Sequence, residues 1–339
     1  VTSKSSGLNI SNNLFRDLNT SAIHLSGTDN VDGNEIHFNN NVIFNSNNQW
    51  DRANHSEGAI TISLRADHIR IKGNLVAESD AAFVGYFHHD MEDWVVEENM
   101  VTATDRLFYS TARIAEPLED IIWRNNFAND VGDSFAITIE DGITDNFVFD
   151  NNEINGGTLR FTGLTDGSVF GNTVRSSDDD PLRLENLNGT RQGDNTVISD
   201  YQNQGDGLSV LLTYNQLTGE VGLESLSMLG DGFSRFVLAN EQFALDGLND
   251  LGGDLLIKSK YGIGWANSVD IAAIELGAIL PTGLSEEDFQ RSFIFGQFTD
   301  SQGNFGSVGF AVVPEPGSVS VLALLTLWLC GNRRRNAKL

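Results

Sequence analysis

The chain has little of several things, and each shortage excludes something. It carries one cysteine in 339 residues, Cys330, so an internal disulfide framework is excluded. It has few positive charges: 21 Lys and Arg stand against 47 Asp and Glu, for a net charge of −26 and an isoelectric point near 4.3. Such a surface repels nucleic acid and anionic membrane, which excludes both as partners of the folded part. It also disfavours tight binding of acidic polysaccharides unless a cation or a local basic cleft intervenes. Helical spacing of apolar residues is absent from the first two hundred positions. There is no initiating Met and no apolar leader before Val1, which predicts a processed chain or a fragment, with further repeats upstream.

What the chain does have is a repeated phrase: apolar, any, any, Asn, any, apolar. Its Asn members are Asn13, Asn41, Asn74, Asn99, Asn126, Asn152, Asn172 and Asn195. Their gaps are 28, 33, 25, 27, 26, 20 and 23 residues. Three positions before each stand Ile10, Phe38, Ile71, Val96, Trp123, Phe149, Val169 and, out of pattern, Gln192. Two positions after stand Phe15, Ile43, Val76, Val101, Ala128, Ile154, Val174 and Val197. Self-similarity at this period means a solenoid, in which one repeat cannot bury its apolar face alone. The local alternation is period two and rich in Val, Ile and Phe, so the repeats are strands. A second apolar run follows in each of the first seven repeats, from Ala22–Leu25 to Leu182–Leu184, with Asp, Asn, Ser and Gly turning the chain between. Two or three short strands per repeat, stacked about 4.8 Å apart, make a parallel β-helix roughly 40 Å long. Crossover sterics make it right-handed. The Asn side chains at one corner can form an internal amide ladder, since buried amides must be paired.

Residues 7–198 resemble the right-handed parallel β-helix repeats of pectate-lyase-like and periplasmic copper-protein-like families. The phrases that carry the resemblance are IRIKGNLV (69–76), IIWRNNFA (121–128) and FVFDNNEI (147–154). That fold serves lyases, hydrolases, epimerases, adhesins and passive stalks, so it does not assign a chemistry.

The pattern changes near residue 200. Residues 1–200 read as the β-helix, 201–313 as a smaller β-sandwich-like domain, and 314–339 as a tail. The stretch 208–226 alternates on both sides of Thr218-Gly219, a hairpin signal, and further strands are expected at 233–239, 254–261, 269–276, 292–299 and 305–313. Ser285, followed three residues later by Asp288, predicts an N-cap for one short helix. The runs LTYNQLTGEV and ELGAILPTGLSEEDF are similar to membrane-proximal domains that precede sorting tails in environmental Gram-negative bacteria.

The tail is Val313-Pro314-Glu315-Pro316-Gly317, then an apolar run from Val319 to Cys330, then Arg333-Arg334-Arg335. It resembles the PEP-CTERM sorting signal in all three parts. The apolar run of twelve residues is short against the roughly 20 that a full membrane span needs. The resemblance implies a C-terminal apolar helix with transient inner-membrane anchoring, and recognition by an exosortase. Cleavage near Pro314, Glu315 and Pro316 and display at the cell surface or release outside it would follow.

Three constellations are candidates for chemistry. Glu57, Asp80, Asp105 and Asp133, with Asp180, precede the second strand of their repeats. Stacked carboxylates repel unless they splay into water or share a cation, and calcium suits such oxygens. A pair 5–10 Å apart also matches glycosidase spacing. Turn residues on a solvated corner are the plainer reading, which we favour. His88-His89-Asp90 lies after a strand in GYFHHDMED, with Arg113 on a neighbouring loop, and could do acid–base work. The phrase resembles the Asp-Pro-His-Asp loop of alginate epimerases. That likeness carries onto His89 and Asp90, while Phe87 and His88 depart from it. A solvated loop is the favoured reading here too. Trp50, Tyr86 and Trp94 could stack on sugar rings, although Tyr86 and Trp94 sit in strand patterns that favour core packing. These observations lead to the expectation of an exported, surface-sorted, structural or glycan-interacting protein without catalysis. The alternative is a polysaccharide lyase, C5-epimerase or glycoside hydrolase using the His88–Asp90 loop.

Overall fold

The computed structural model describes residues 2–3, 7–28, 35–46, 58–86, 91–110, 118–138, 144–204, 210–226, 232–242, 245, 248 and 250–313. The protein is mostly β, with long parallel sheets wound as a parallel β-helix and a separate unit of mainly antiparallel sheets. Each coil contributes strands to three faces. The first face stacks Asn9–Ser11, Ile36–Asn39, Ile69–Lys72, Met91–Glu97, Leu118–Arg124, Val148–Asp150, Ser168–Phe170 and Arg191–Gly193. The second stacks the strands that follow each ladder Asn, from Leu14–Leu18 to Thr196–Ile198. The third runs from Thr2–Ser3, which pairs with Ile23–Thr28, to Leu182–Glu185. Met100–Ser110 and Phe127–Thr138 pass through the second and third faces without a break, which joins those two faces into one sheet.

The Asn column holds the corner between the first two faces. Nδ2 of each Asn donates to Oδ1 of the Asn on the next coil, at 2.9–3.2 Å in all seven steps from Asn13 to Asn195. The backbone N–H of each of the first seven donates to that same oxygen, at 2.9–3.1 Å. From Asn41 onward, Nδ2 also donates to a carbonyl on the coil before: those of Ile10, Phe38, Ile71, Val96, Trp123, Phe149 and Val169. The repeated phrase thus has one physical meaning. The apolar residue three places before the Asn puts its side chain in the core and its carbonyl under the amide of the next coil. Asn41, Asn74, Asn99 and Asn172 are fully buried, and each satisfies donors and acceptor within the stack.

The position before each ladder Asn turns the corner with positive φ: Asn12, Asn40, Gly73, Glu98, Asn125, Asn151, Gly171 and Asp194 all lie between 52° and 69°. Gly73 has a second reason to be glycine. A Cβ there would stand 2.6 Å from Asn40 Oδ1 and 3.2 Å from the Leu256 carbonyl, where the second unit crosses the corner.

Inside the coils, apolar side chains stack in register. Ile23, Ile60, Phe83, Phe108, Leu159 and Leu182 line the third face. Trp123, 2% exposed, reaches across from the first face and meets Phe83 and Phe108 edge-on, at 5.1 and 5.4 Å between centroids.

The second unit has a four-stranded sheet, in the order Ala273–Gly277, Val221–Ser225, Val210–Asn215, Gly309–Val313, and a five-stranded one. The five-stranded sheet runs Asp254–Lys258, Gly262–Ile271, Phe233–Asn240, Phe293–Thr299, Phe305–Ser307. The two enclose one core of Leu212, Tyr214, Leu223, Phe236, Trp265, Phe298 and their neighbours. The hairpin at Thr218-Gly219 joins Val210–Asn215 to Val221–Ser225, with Tyr214 opposite Val221. Ser285 caps the helix Glu286–Ser292, its hydroxyl accepting from the Asp288 N–H at 3.1 Å. Two expectations need correction. The pair Val210–Asn215 and Gly309–Val313 is parallel, since the chain returns to that edge from the far end of the unit. The expected strand 269–276 is the end of Gly262–Ile271 plus Ala273–Gly277; three residues (Gly262, Gly264 and Asn267) interrupt the apolar alternation that would have announced the first of these. The expected C-terminal apolar helix lies outside the described residues. Among the described residues, no helix is long and apolar enough to cross a membrane.

Candidate functional site

The second face of the β-helix is apolar on its outer side as well as its inner one. Just after the ladder come Leu14, Val42, Leu75, Met100 and Phe127, all pointing away from the coil interior. They pack against Val237, Ala239, Ile257, Leu256 and Phe295 of the five-stranded sheet. Gly262 and Gly264 let that sheet come close, since a Cβ on either would overlap Val42 Cγ2 or Met100 Sδ. Further along the stack the same outward position becomes Glu153, and the contact becomes polar. Glu153 is held by Arg175 at 2.6 Å and by Arg235 of the second unit at 2.5 Å. Asn129 donates to Gln297 Oε1 at 2.8 Å and to Thr299 Oγ1 at 3.2 Å. Tyr201 donates to the Gly303 carbonyl at 2.6 Å, and burial pushes its phenol up to about 12.

Beside this contact the two units leave a cleft of about 570 Å³. One wall is the positive-φ corner column on three successive coils: Glu98, Asn125 and Asn151. The other is the lip Gly253, Asp254, Leu255 and Leu256. The lip is pinned by the Trp265 indole N–H, which donates to the Gly252 carbonyl at 2.6 Å. The floor holds the Glu153–Arg235 pair, with the Arg235 guanidinium 4.9 Å over the Phe127 ring.

The outer side of the first face carries a charged stripe. Lys72, Glu97 and Arg124 stand in register on three coils, with Glu97 paired to both at 3.0 and 2.8 Å. Burial alone would raise the Glu97 carboxyl, but hydrogen bonds from Lys72 and Arg124 outweigh it and hold it below the usual carboxylate range. Asp93 behaves the same way: burial opposes, and the bonds to Arg70 and His68, both 2.7 Å, win. Glu78 and Asp130 are raised by burial, and they occupy one corner position two coils apart, with Ala103 between.

Of the residues singled out in the sequence, His88, His89, Asp90, Arg113, Glu57 and the sorting residues Pro314, Glu315 and Pro316 lie outside the described residues. The acidic column is not one column. Phe83 pairs with Phe108, which sets Asp80 level with Asp105, but Arg106 pairs with Asp133. Asp133 therefore stands one place out of register, level with Arg106, because Asp105 and Asp133 are 28 residues apart while the paired strands advance by 27. Asp80 is half-buried and Asp180 exposed. Among the described residues, no group of three or more His, Cys, Asp or Glu is arranged to hold a metal ion. Trp94 is fully buried in the β-helix core, and Trp50 lies outside the described residues. The sequence reading missed the cleft. Its one available signal was the doubly apolar strand after each ladder Asn, which marks a face covered from outside.

The fold and the cleft define the class: a parallel β-helix with a second, mainly antiparallel unit docked on one face. No protein-family model matches the chain, and no curated protein does. Among solved structures it is similar to WceF of Pantoea stewartii, described as a glycan biofilm modifying enzyme with a bacteriophage tailspike-like parallel β-helix fold. The identity is 13% and the TM-score 0.16, over 83% of this chain and 52% of that one, so the chain spans about half the length of WceF. A likeness of that size carries no argument about substrate or activity.

Proposed function

We propose that this is an exported cell-surface or extracellular-matrix protein, whose right-handed β-helix serves as a stiff, glycan-facing rod without turnover of its own. The observation that supports this most is the ladder: seven consecutive side-chain amide bonds run the length of the stack, each doubled by a backbone bond. Such a corner ties every coil to the next and leaves little room for hinge motion. The surface ion pairs on the first face belong to the same design, since alternating Lys72, Glu97 and Arg124 hold register. In this reading residues 314–339 are a PEP-CTERM sorting signal, read by an exosortase and removed near Pro314–Pro316. Residues 1–200 and 201–313 remain outside the cell.

The test is expression of the full chain in a host with an exosortase, followed by fractionation, intact mass and a glycan turnover panel. The expected product ends near Pro314, sits in the surface or medium fraction, and turns over none of the panel. Pro314→Ala with Pro316→Ala keeps the full-length chain in the inner membrane. A wild-type chain left uncleaved inside the cell would overturn the sorting half. Turnover that is abolished by His89→Ala would overturn the non-catalytic half.

A further inference from the structure

We propose that the cleft between the corner column Glu98–Asn125–Asn151 and the lip Gly253–Leu256 is a binding site for a neutral hexose polysaccharide, whose chain lies along the rod axis. The proposal rests on the glycan-facing reading and gives it a place and a ligand class.

Three observations carry it. The first is shape: a cleft of about 570 Å³ falls within the range of small-ligand sites. One of its walls repeats along the axis at the coil spacing of about 4.8 Å. A polymer laid parallel to the rod therefore meets an equivalent position on each coil. The second is free hydrogen-bonding capacity. Every ladder Asn spends its side chain within the stack. Among the described residues, no hydrogen bond occupies the side-chain amides of Asn125 and Asn151, one position earlier in the chain. Each amide offers two donors and an acceptor, and Asp254 opposite offers acceptors only. Sugar hydroxyls donate and accept at once, which matches that mixture. Leu255, 37% exposed, supplies an apolar patch at the lip for the C–H side of a ring. The third is charge. On the walls and floor, Glu98 is paired with Lys72 and Glu153 with Arg175 and Arg235, so Asp254 is the cleft carboxylate with no ion pair among the described residues, and no cation of the cleft is left over for an anionic ligand. With a net charge of −26 behind it, the cleft repels uronates and selects neutral chains.

The test is calorimetric titration of the full chain with gluco-, manno- and galacto-configured neutral hexaoses and with a hexauronate. Co-sedimentation of the same protein with a panel of polymeric glycans runs alongside. The cleft variant is Asn125→Gly with Asn151→Gly, which deletes both amides at positions where positive φ suits glycine, so the fold is kept; its thermal transition is recorded beside wild type. Asp254→Asn is the second variant, and Glu119→Gln on the exposed first face is the control. Saturable binding of a neutral hexaose supports the site if both cleft variants weaken it at least tenfold and the control leaves it unchanged. Equal affinity in wild type and the double variant overturns the cleft while leaving a glycan-binding protein. Preference for the hexauronate overturns the ligand class. No binding of any hexaose overturns the proposal even if a polymer is retained, and retention on no polymer removes the glycan-facing reading as well.

Discussion

Deleting one amide from the middle of the ladder should cost far more than deleting one from its end. Asn99 is fully buried. Its Nδ2 donates to the Ile71 carbonyl at 2.9 Å and to Asn126 Oδ1 at 3.0 Å, and its Oδ1 accepts from both the N–H and the Nδ2 of Asn74 at 2.9 Å. In Asn99→Ala, the Ile71 carbonyl and the Asn74 N–H lose these bonds inside the stack. Asn126 Oδ1 keeps its bond from the Asn99 N–H, and Asn74 Nδ2 keeps the Phe38 carbonyl. The Ile71 carbonyl keeps the Glu97 N–H of the paired strand, so the one buried orphan is the Asn74 N–H; at about 1–3 kcal/mol, with about 0.5–1.5 kcal/mol for the lost amide bond, the loss is about 2–4 kcal/mol. Asn13→Ala removes an exposed donor, and Asn41 Oδ1 still accepts from the Asn13 N–H at 3.0 Å, so its cost is about 0.5–1 kcal/mol. Chemical denaturation of the full chain, followed by far-ultraviolet circular dichroism, reads the difference. The expected order of loss is Asn99→Ala, then Asn195→Ala at the partly exposed last coil, then Asn13→Ala. An Asn99→Ala variant within about 1 kcal/mol of wild type, or equal to Asn13→Ala, would mean that a buried orphan N–H costs nothing in this stack, the opposite of what is expected.

Other expectations follow from particular contacts. Glu97 has a folded pKa below its unfolded value near 4.5, so its ion pairs stabilise above that pH and the contribution is lost as pH falls through the folded value. Glu97→Gln should therefore be less stable than wild type near neutral pH and converge with it in acid, as thermal melts across pH would record; a constant offset would contradict this. Gly264→Ala should lose about 1–3 kcal/mol by overpacking against Met100 and Ile257, and the loss should be less than additive with Met100→Ala, as a double-mutant cycle measures. Glu153→Gln should lose about 2–4 kcal/mol, because Arg175 and Arg235 remain partly buried without their carboxylate, and the loss should persist in high salt if burial rather than surface attraction sets it.

The coil stack was legible in the sequence because one residue type does one job at every corner. Asn supplies two donors and an acceptor in the geometry that three neighbouring coils require, so the column could be read residue by residue from Asn13 to Asn195. The corner conformation was less legible, since Glu98, Ala103 and His68 adopt positive φ that composition alone would assign to Gly, Asn or Asp. The docked face was readable in principle. Val42-Ile43, Leu75-Val76 and Met100-Val101 are apolar on both sides of the strand, which a half-exposed strand would not be. The strand Gly262–Ile271 was hidden by Gly262 and Gly264, whose role is to let Val42 and Met100 approach rather than to fill a core. Strand register across coils of unequal length decides what a column contains. That is why Asp133 proved to be level with Arg106.

The eight ladder Asn side chains form one continuous line along the stack. Hydrogen exchange of Asn side-chain amides by 15N-edited nuclear magnetic resonance tests it most directly. The amides of Asn41, Asn74, Asn99, Asn126, Asn152 and Asn172 are expected to exchange slowly and together, while those of Asn13, Asn125 and Asn151 exchange as exposed amides do. Six interior amides exchanging at scattered rates, or as fast as Asn125, would contradict it.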